Sequence, residues 1–394
     1  MMRDKLSILL SILSGILLGL PWLIPGTGPV LLFAFVPLFV AENRLLKINQ
    51  QTNYPLFGIS FFSFLLWNLL ATWWIAWVSL GGMILIVLVN SLLMAGVWWL
   101  AGFFSKRFGK STDYISLVAF WISYEFLLSH GDIPWPWLLL GNGFSWSVKI
   151  IQWYEFTGVP GGSLWILAAN IFLFETINSF QKTRLKHLIE WCFSSLAVLL
   201  IPMLLSLALY FSYHEKGSSI RILSVQPNVD PYTEKFGEIS QKDQLANILK
   251  LSESHLSDSV DMVVAPETSL PDLWEDSLKI GDPFSHPVFR LMDRYPKLNF
   301  LGGTLTKRKI SLNDKSSLAA RKSGDGKYFY NVYNSAIYFG TNHEFQINHK
   351  NLLVNGVERM PFQKYFSFLN QYNLDLGGTS GIIVPGDSPV VFSM

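Results

Sequence analysis

Long apolar segments that carry almost no charge fill the first 215 residues, and this pattern constrains the fold more than any other feature. Only 20 of the 58 charged residues lie at positions 1 to 215, whereas 14 of the 15 tryptophans do. Half of the chain is hydrophobic and 15% is charged, which is too apolar for an ordinary soluble protein. We therefore predict a membrane domain over residues 1–215 and a soluble domain over residues 216–394.

Seven apolar segments in the first domain are candidates for membrane helices. A spanning helix needs about 20 apolar residues, which the third, fourth and seventh segments reach, whereas the second and fifth are short enough to be tilted or re-entrant. Tryptophans near segment ends, at positions 73, 74, 77, 98 and 99, are predicted to anchor at the membrane interface. The segments are residues 6–24, 29–41, 55–78, 83–104, 114–128, 163–177 and 191–213.

Basic residues in the connecting loops predict how the chain is oriented. If all seven segments cross the membrane, every basic cluster falls on the side of the N-terminus. The loops on the opposite side contain Lys149 as their single basic residue. Because cytoplasmic loops are enriched in Lys and Arg, we expect a cytoplasmic N-terminus and a soluble domain on the far side of the membrane. The net charge of +2 then reflects topology and gives no indication of a nucleic-acid partner. The clusters are Arg3 and Lys5; Arg44 and Lys47; Lys106, Arg107 and Lys110; Lys182, Arg184 and Lys186.

The long loop at residues 129–162 is too apolar for a solvated linker and too rich in Pro and Gly for a helix. We expect it to lie in or on the outer leaflet. It could line an entrance for a lipid or simply cap the bundle, and its residues favour neither alternative.

Short β-rich runs and one helix-like stretch indicate an α/β layered fold for the second domain. Residues 241–256 have the apolar spacing of an amphipathic helix, and an apolar strand breaks at Pro266. Further strands are predicted at residues 299–306 and 328–339, with a polar surface loop at residues 307–327 between them.

Two carboxylates and one lysine are the candidate reactive residues. Glu267 follows an apolar strand, where α/β folds place chemistry, and apolar neighbours would desolvate it and raise its pKa. Taken alone, Glu267 is more often an ordinary loop glutamate and Lys350 an ordinary solvated lysine. Glu358 lies eight residues after Lys350, and this fixed spacing makes the set a more specific indication of a reactive site than any of the residues alone.

Other chemistries are disfavoured by the residue types present. His343 and His349 do not have a common zinc spacing, and no serine lies in a G-x-S-x-G turn. The chain contains one cysteine, Cys192, which excludes an intramolecular disulfide and which we expect to be a buried small apolar side chain.

Several motifs together resemble the apolipoprotein N-acyltransferases, polytopic membrane enzymes with a nitrilase-like (carbon-nitrogen hydrolase) domain. The motifs run along nearly the whole chain: LLWNLLATWWIAWV from residue 65, IPWPWLLLGN from 133, VQPN from 225, APETSLPD from 265, YNVYNSAIYF from 330 and HKNLLVNGVE from 349. One departure is visible, because the family usually has Pro-Phe-Gly before the second glutamate and this chain has Asn-Gly-Val at 355–357.

The resemblance implies a helical transmembrane bundle followed by an αββα nitrilase-like domain in a bacterial inner membrane, with that domain periplasmic. It implies a phospholipid acyl donor, a diacylglyceryl-modified apolipoprotein as acceptor, surrounding membrane lipid and no cofactor. A cysteine would form an acyl thioester that the lipoprotein α-amine then opens. Glu267 matches the general base, Lys350 the oxyanion-stabilising residue, Glu358 a supporting carboxylate and Phe236 a lipid-contacting aromatic.

The family's nucleophilic cysteine has no counterpart in this sequence. In the family it follows a strand downstream of the lysine, and residues 388–394 resemble that strand. We therefore expect a C-terminally shortened, inactive chain. A non-catalytic protein of the same fold that binds lipid or lipoprotein is the alternative. A transporter is disfavoured, because the intramembrane acids are few and Glu125 and Glu175 lie near segment ends.

Overall fold

The chain divides into two compact units, Met1–Glu215 and Lys216–Met394, and the described residues of the first contain seven α-helices. The computed structural model describes residues 4–48, 54–108, 111–180, 185–230, 234, 239–278, 285–310, 319–354, 358–359 and 383–393, so Phe236 and the departure at 355–357 lie outside the described residues. The helices are α1 (Lys5–Leu23), α2 (Val36–Ile48), α3 (Tyr54–Thr72), α4 (Leu80–Phe108), α5 (Ser111–His130), α6 (Tyr154–Phe180) and α7 (Leu185–Ser212).

Within the described residues, six helical stretches are long and apolar enough to cross a membrane. They include all the helices except α5, which has 20 residues but a more polar sequence. Helices suit such segments because each satisfies its own backbone hydrogen bonds in lipid. The predicted class, a helical membrane bundle followed by an α/β domain, is confirmed.

An aromatic cluster forms the centre of the first unit. Trp98 is only 2% exposed, its ring stacks on Phe35 at a centroid distance of 5.4 Å, and its indole N–H donates to Glu42. The prediction that Trp98 anchors at the interface is therefore wrong. Its neighbours satisfy both the apolar ring and the N–H inside the bundle, whereas Trp77 is 81% exposed.

The loop at residues 129–162 is more helical than its composition indicates. Its last part belongs to α6, which accommodates Pro160 through a kink at Gly158, where φ is 64°. The earlier part forms short 3₁₀ turns, and the backbone N–H of Leu140 donates to the carboxylate of Glu125 on α5 at 2.8 Å. This contact ties the loop to the helices. The turns are Pro136–Leu138, Leu140–Phe144 and Val148–Ile150.

In the second unit, the residues that the structure describes form a mixed sheet and three helices. The strands are β1 (Ile222–Ser224), β2 (Met262–Val264), β3 (Leu273–Trp274), β4 (Asn299–Ile310), β5 (Arg321–Lys322), β6 (Phe329–Phe339) and β7 (Phe345–His349); the helices are α8 (Gln241–Glu253), α9 (Glu275–Leu278) and α10 (Ser285–Asp293). The sheet order is β1-β2-β4-β6-β5, with β3 also pairing β4 and β7 also pairing β6. The pairs among β1, β2, β3 and β4 are parallel, whereas β6 runs antiparallel to β4, β5 and β7.

The predicted helix and strands of this unit are present, with corrected bounds. The supposed surface loop at 307–327 is partly strand, because β4 continues to Ile310 in register with β6 and β5 pairs with β6; residues 311–318 lie outside the described residues. The prediction of a terminal strand at 388–394 is wrong for the part that the structure describes, because residues 383–393 contain no strand. There the N–H of Val390 donates to the side chain of Asn348 instead of to a neighbouring backbone.

Apolar residues cover one face of the sheet. Phe300, Ile337 and Phe339 pack with Leu245 and Ile248 of α8 and with the buried face of α10. Because successive residues of a strand point to opposite faces, Asn334 and the residue after β7, Lys350, face away from this core.

Candidate active site

Glu267 lies just beyond the carboxyl end of β2, against the backbone of β4. The N–H of Gly303 donates to Pro266 at 3.1 Å, and the N–H of Ser269 donates back to Gly303 at 2.8 Å. These bonds hold the residue directly before Glu267 and the residue two positions after it, and so fix where the side chain of Glu267 starts.

Only glycine fits at position 303. A Cβ there would lie 2.6 Å from the Cα of Glu267 and 2.6 Å from the backbone nitrogen of Thr268. Thr268 itself has φ of 48°, which is unusual for a β-branched residue. The close approach and the strained backbone both occur beside Glu267, and strain of this kind is concentrated at functional sites.

Lys350 brings the three predicted residues together. It follows β7, where its backbone N–H donates to the carbonyl of Asn334 at 2.8 Å. Its ammonium group donates to Glu267 at 2.9 Å and to Glu358 at 3.1 Å. One cation therefore lies between two carboxylates.

Asn334 bridges the same two carboxylates. Its side-chain amide donates to Glu267 and, at 2.7 Å, to Glu358. Glu358 also accepts the backbone N–H of Val354 at 2.7 Å and is 10% exposed in its side chain. Three donors, from Asn334, Lys350 and Val354, thus fix the buried carboxylate, and Lys350 is oriented by a group that does not need to move.

The electrostatics keep Lys350 charged. Burial opposes the charge, but the hydrogen bonds and charges of Glu267 and Glu358 outweigh burial and hold the pKa of Lys350 above its usual value. A permanently protonated ammonium group can stabilise a developing oxyanion.

Glu267 is more open than its sequence neighbours indicate. Its side chain is 60% exposed, so the expected desolvation is wrong. The apolar residues near it in sequence, Ala265 and Leu270, are buried in the apolar core of this unit. An exposed carboxylate is accessible to a substrate proton, which a buried one is not.

Sequence reasoning missed Asn334 and Gly303. Asn334 interrupts an apolar strand and is 4% exposed, and a buried polar residue in such a run is the signal that could have indicated it. Gly303 could not be recognised, because its role depends on strand pairing distant in sequence.

The remaining candidates do not join this cluster. His343 pairs with Asp293, and His349 contacts Ser335 and Arg308. No group of three potential metal ligands occurs within the described residues. Cys192 lies on α7 and is exposed on the surface of the first unit, so the prediction that it is buried is wrong.

Comparison with known proteins identifies the relatives of this chain. Residues 14–172 match the apolipoprotein N-acyltransferase N-terminal domain. The chain is 27% identical over 391 residues to the apolipoprotein N-acyltransferase of Chlorobaculum tepidum, covering 96% of this chain and 71% of that protein.

Two further relatives carry the same name. The protein of Geobacter metallireducens is 27% identical over 280 residues, covering 68% of this chain and 52% of its own length. That of Rickettsia typhi is 25% identical over 381 residues, covering 91% of this chain and 67% of its own length. The resemblance inferred from the motifs is confirmed.

Proposed function

We propose, from the relationship of this chain to the apolipoprotein N-acyltransferase family, that its second unit carries the acid/base part of an acyl-transfer site. The observation that carries the proposal is the ammonium group of Lys350 held at 2.9 Å from Glu267 and 3.1 Å from Glu358. Acyl transfer needs a base for the nucleophile's proton and a fixed cation for the oxyanion.

The first half-reaction is transfer of an acyl group from a phospholipid to a thiol. Glu267 accepts the thiol proton, the sulfur attacks the ester carbonyl, and Lys350 stabilises the resulting oxyanion. When the intermediate collapses, the carbon–oxygen bond breaks and the lysolipid oxygen receives the proton from Glu267. The product is a thioester.

The second half-reaction uses the α-amine of a diacylglyceryl-cysteine lipoprotein. The amine attacks the thioester carbonyl and Glu267 accepts its proton. The carbon–sulfur bond breaks, the amide forms, and the proton returns to the sulfur. Glu358 and Asn334 keep Lys350 in place through both steps.

The thiol is the component that the residues of this site do not supply. The one cysteine of the sequence, Cys192, lies on α7 in the membrane unit. We propose that residues 1–394 by themselves form no acyl-enzyme. A non-catalytic protein that binds phospholipid or lipoprotein remains the alternative.

The proposed location is a bacterial inner membrane, with the N-terminus cytoplasmic and the second unit periplasmic. Loop charge supports it, provided that α5 crosses the membrane as a seventh helix. Its 20 residues span about 30 Å, the thickness of a hydrocarbon core. A reporter fused after Met394 should be periplasmic, and a cytoplasmic reporter would contradict both the orientation and the crossing of α5.

Acyl labelling tests the proposal. The purified chain is incubated with a phospholipid labelled in its acyl chains and with a diacylglyceryl peptide, and protein-bound label is then treated with hydroxylamine, which cleaves thioesters. We expect both lipids to bind and no hydroxylamine-sensitive label to remain on the protein. A thioester mapped to Cys192 would overturn the placement of the chemistry in the second unit.

A further inference from the structure

A cavity of about 310 Å³ opens between α2 and α6 in the first unit, near the C-terminal ends of both helices. Four polar side chains and three apolar side chains line it, and no carboxylate lies among the described lining residues. The polar ones are Asn43, Arg44 and Lys47 of α2 and Asn178 of α6. The cavity belongs to the membrane unit and has no residue in common with the candidate active site.

Polar and apolar side chains are separated along the axes of the two helices. Lys47 and Asn178 lie within the last three residues of α2 and α6, whereas Val40 and Phe174 line the cavity further from the helix ends. A rise of about 1.5 Å per residue places Val40 about 10 Å deeper than Lys47 and Phe174 about 6 Å deeper than Asn178. The headgroup layer of a bilayer is about 5–8 Å thick on each side. The polar mouth and the apolar floor therefore match the headgroup and the acyl chains of one lipid.

Arg44 is oriented by Asp4, the residue before α1. Its Nε donates to Oδ2 of Asp4 at 3.2 Å and its Nη2 donates to Oδ1 at 3.3 Å. Asp4 in turn accepts from the hydroxyl of Ser7 at 2.8 Å, which fixes the carboxylate. A guanidinium has five N–H donors, so these two bonds leave three N–H groups of Arg44 for a ligand. Arg44 is thus positioned before a ligand binds, and its side chain is still 43% exposed.

Lys47 supplies the positive charge that remains at the cavity. Asp4 offsets the charge of Arg44, and the side chain of Lys47 is exposed at the mouth. The amides of Asn43 and Asn178 add neutral donors to the same wall. A phosphodiester carries one negative charge and oxygens that accept hydrogen bonds, so it matches this wall in both charge and bonding.

Two carboxylates of α2 and α6 line a neighbouring cavity of about 80 Å³ and bond to other side chains of the bundle. Glu42 accepts from the indole of Trp98 at 3.1 Å. Glu175 accepts from the hydroxyl of Tyr114 and from Asn178 at 3.3 Å. Because the described lining of the larger cavity offers no carboxylate to the ammonium group of a zwitterionic headgroup, it favours a headgroup with a net negative charge.

We propose that this cavity binds an anionic phospholipid, with its phosphate against Arg44 and Lys47 and its acyl chains on Val40, Phe174 and Ile177. Ile177 is 43% exposed, so the apolar floor is open to the surrounding lipid. Basic pockets between membrane helices are known to hold anionic headgroups. The bound lipid joins α2 to α6 and is separate from the acyl donor of the proposed function. The proposed orientation enters only in assigning this lipid to the cytoplasmic leaflet.

Native mass spectrometry of the full chain in detergent tests the proposal. The chain is titrated with phosphatidylglycerol or with phosphatidylcholine of the same acyl chains, and the dissociation constant of the first bound lipid is measured. We expect phosphatidylglycerol to bind about fivefold more tightly, which corresponds to one basic side chain acting on an anionic headgroup. Equal affinities for the two lipids would overturn the proposal.

Lys47→Gln should weaken phosphatidylglycerol binding about fivefold, because it removes the uncompensated charge. The matched control is Lys186→Gln, which removes another exposed lysine, at the start of α7 and on the same predicted side of the membrane, and should leave the affinity unchanged. Both lysines are exposed, so neither variant should disturb folding. Equal weakening in the two variants would contradict a specific site and indicate attraction by the whole basic surface.

Soluble phosphates distinguish a lipid from a free anion as the occupant. Inorganic phosphate and glycerol phosphate carry the same donor-seeking oxygens but have no acyl chains for the apolar floor. We expect neither to displace phosphatidylglycerol from the parent chain, even in large excess. Displacement by either compound would overturn the lipid assignment and make the cavity a site for soluble anions.

Hydrogen exchange locates the bound lipid. Phosphatidylglycerol should slow amide exchange at the C-terminal end of α2 in the parent chain, have a smaller effect there in Lys47→Gln, and leave the start of α7 unchanged in both. Unchanged exchange at the end of α2 in the lipid-saturated parent chain would contradict the proposed position. None of these measurements depends on acyl transfer, so they test the lipid site independently of the proposed function.

Discussion

Two glutamates in this chain accept hydrogen bonds in different ways, and the contrast separates a structural carboxylate from a reactive one. Glu125 in the membrane unit is 3% exposed and accepts from the indole of Trp121 at 3.0 Å and from Leu140 at 2.8 Å. Glu267 in the second unit is 60% exposed and accepts from Lys350 and Asn334. The first is enclosed by neutral donors, and the second is open beside a cation.

Both donors to Glu125 bond to its Oε1, and other polar side chains close by bond to one another. Tyr124 donates to Asn90, and Asn90 donates to Asn68 at 2.7 Å. Among the described residues, no Lys or Arg side chain is bonded to this set. In a dry interior such bonds specify the packing, since an unsatisfied polar group there is costly. The cluster around Glu267 instead holds one carboxylate where solvent and substrate can reach it.

The largest expected effect comes from removing Glu125. Glu125→Ala leaves the Leu140 N–H and the Trp121 indole without their acceptor and opens a cavity, so we expect a loss of about 3 kcal/mol in the free energy of unfolding. Glu267→Ala should change it by less than about 0.5 kcal/mol. Thermal unfolding in detergent, followed by tryptophan fluorescence and by hydrogen exchange, measures both. Equal losses of unfolding free energy in Glu125→Ala and Glu267→Ala would contradict the distinction between a structural and a reactive carboxylate.

Lys350→Met should have the next largest effect. It leaves Glu358 buried without its cation, which costs about 2 kcal/mol, less than for a fully enclosed pair because Glu267 can turn to solvent. Local hydrogen exchange in β6 and β7 is the measurement. The control Lys327→Met removes an exposed ammonium 3.9 Å from Asp325 and should have almost no effect. Matching losses for the two variants would contradict the burial argument.

Gly303→Ala should displace Glu267 without disturbing the membrane unit. The added methyl meets the backbone of Glu267 and Thr268 at 2.6 Å, and such overpacking costs about 1–2 kcal/mol. Hydrogen exchange should rise at Ser269 and Leu270, whose N–H groups bond to Gly303. Gly324→Ala, where a Cβ meets nothing within 4 Å, is the control. Unchanged exchange at Ser269 would show that the close approach has no role.

The smallest effect concerns the charge of Lys350. Because its pKa is raised, it stays protonated at alkaline pH values where an ordinary lysine has begun to lose its proton. Acetylation at about pH 10 should therefore be several-fold slower at Lys350 than at Lys327. Glu267→Gln removes one of the two carboxylate charges beside Lys350 and should therefore reduce the difference in acetylation rate between Lys350 and Lys327. Equal rates in the parent chain would contradict the ion-pair geometry.

The order of elements followed from sequence, because apolar length predicts spanning helices and short β-rich runs predict strands. Glu267 and Lys350 were recognisable from their positions and motifs. Asn334 was missed, although a polar residue inside an apolar strand is a signal, because its role depends on the backbone bond that it shares with Lys350. The kink at Gly158 and the burial of Trp98 depend on neighbours distant in sequence, and so does the exposure of Glu267.

Acyl transfer to an added thiol tests the central claim most directly. The chain is mixed with a phospholipid labelled in its acyl chains and a small soluble thiol, and the rate of thioester formation is measured for the parent chain, Glu267→Gln and, as control, Glu344→Gln. If Glu267 is an open general base beside a fixed cation, the parent and Glu344→Gln should react about 100-fold faster than Glu267→Gln. Equal rates in all three proteins would contradict the account and favour a non-catalytic lipid-binding protein.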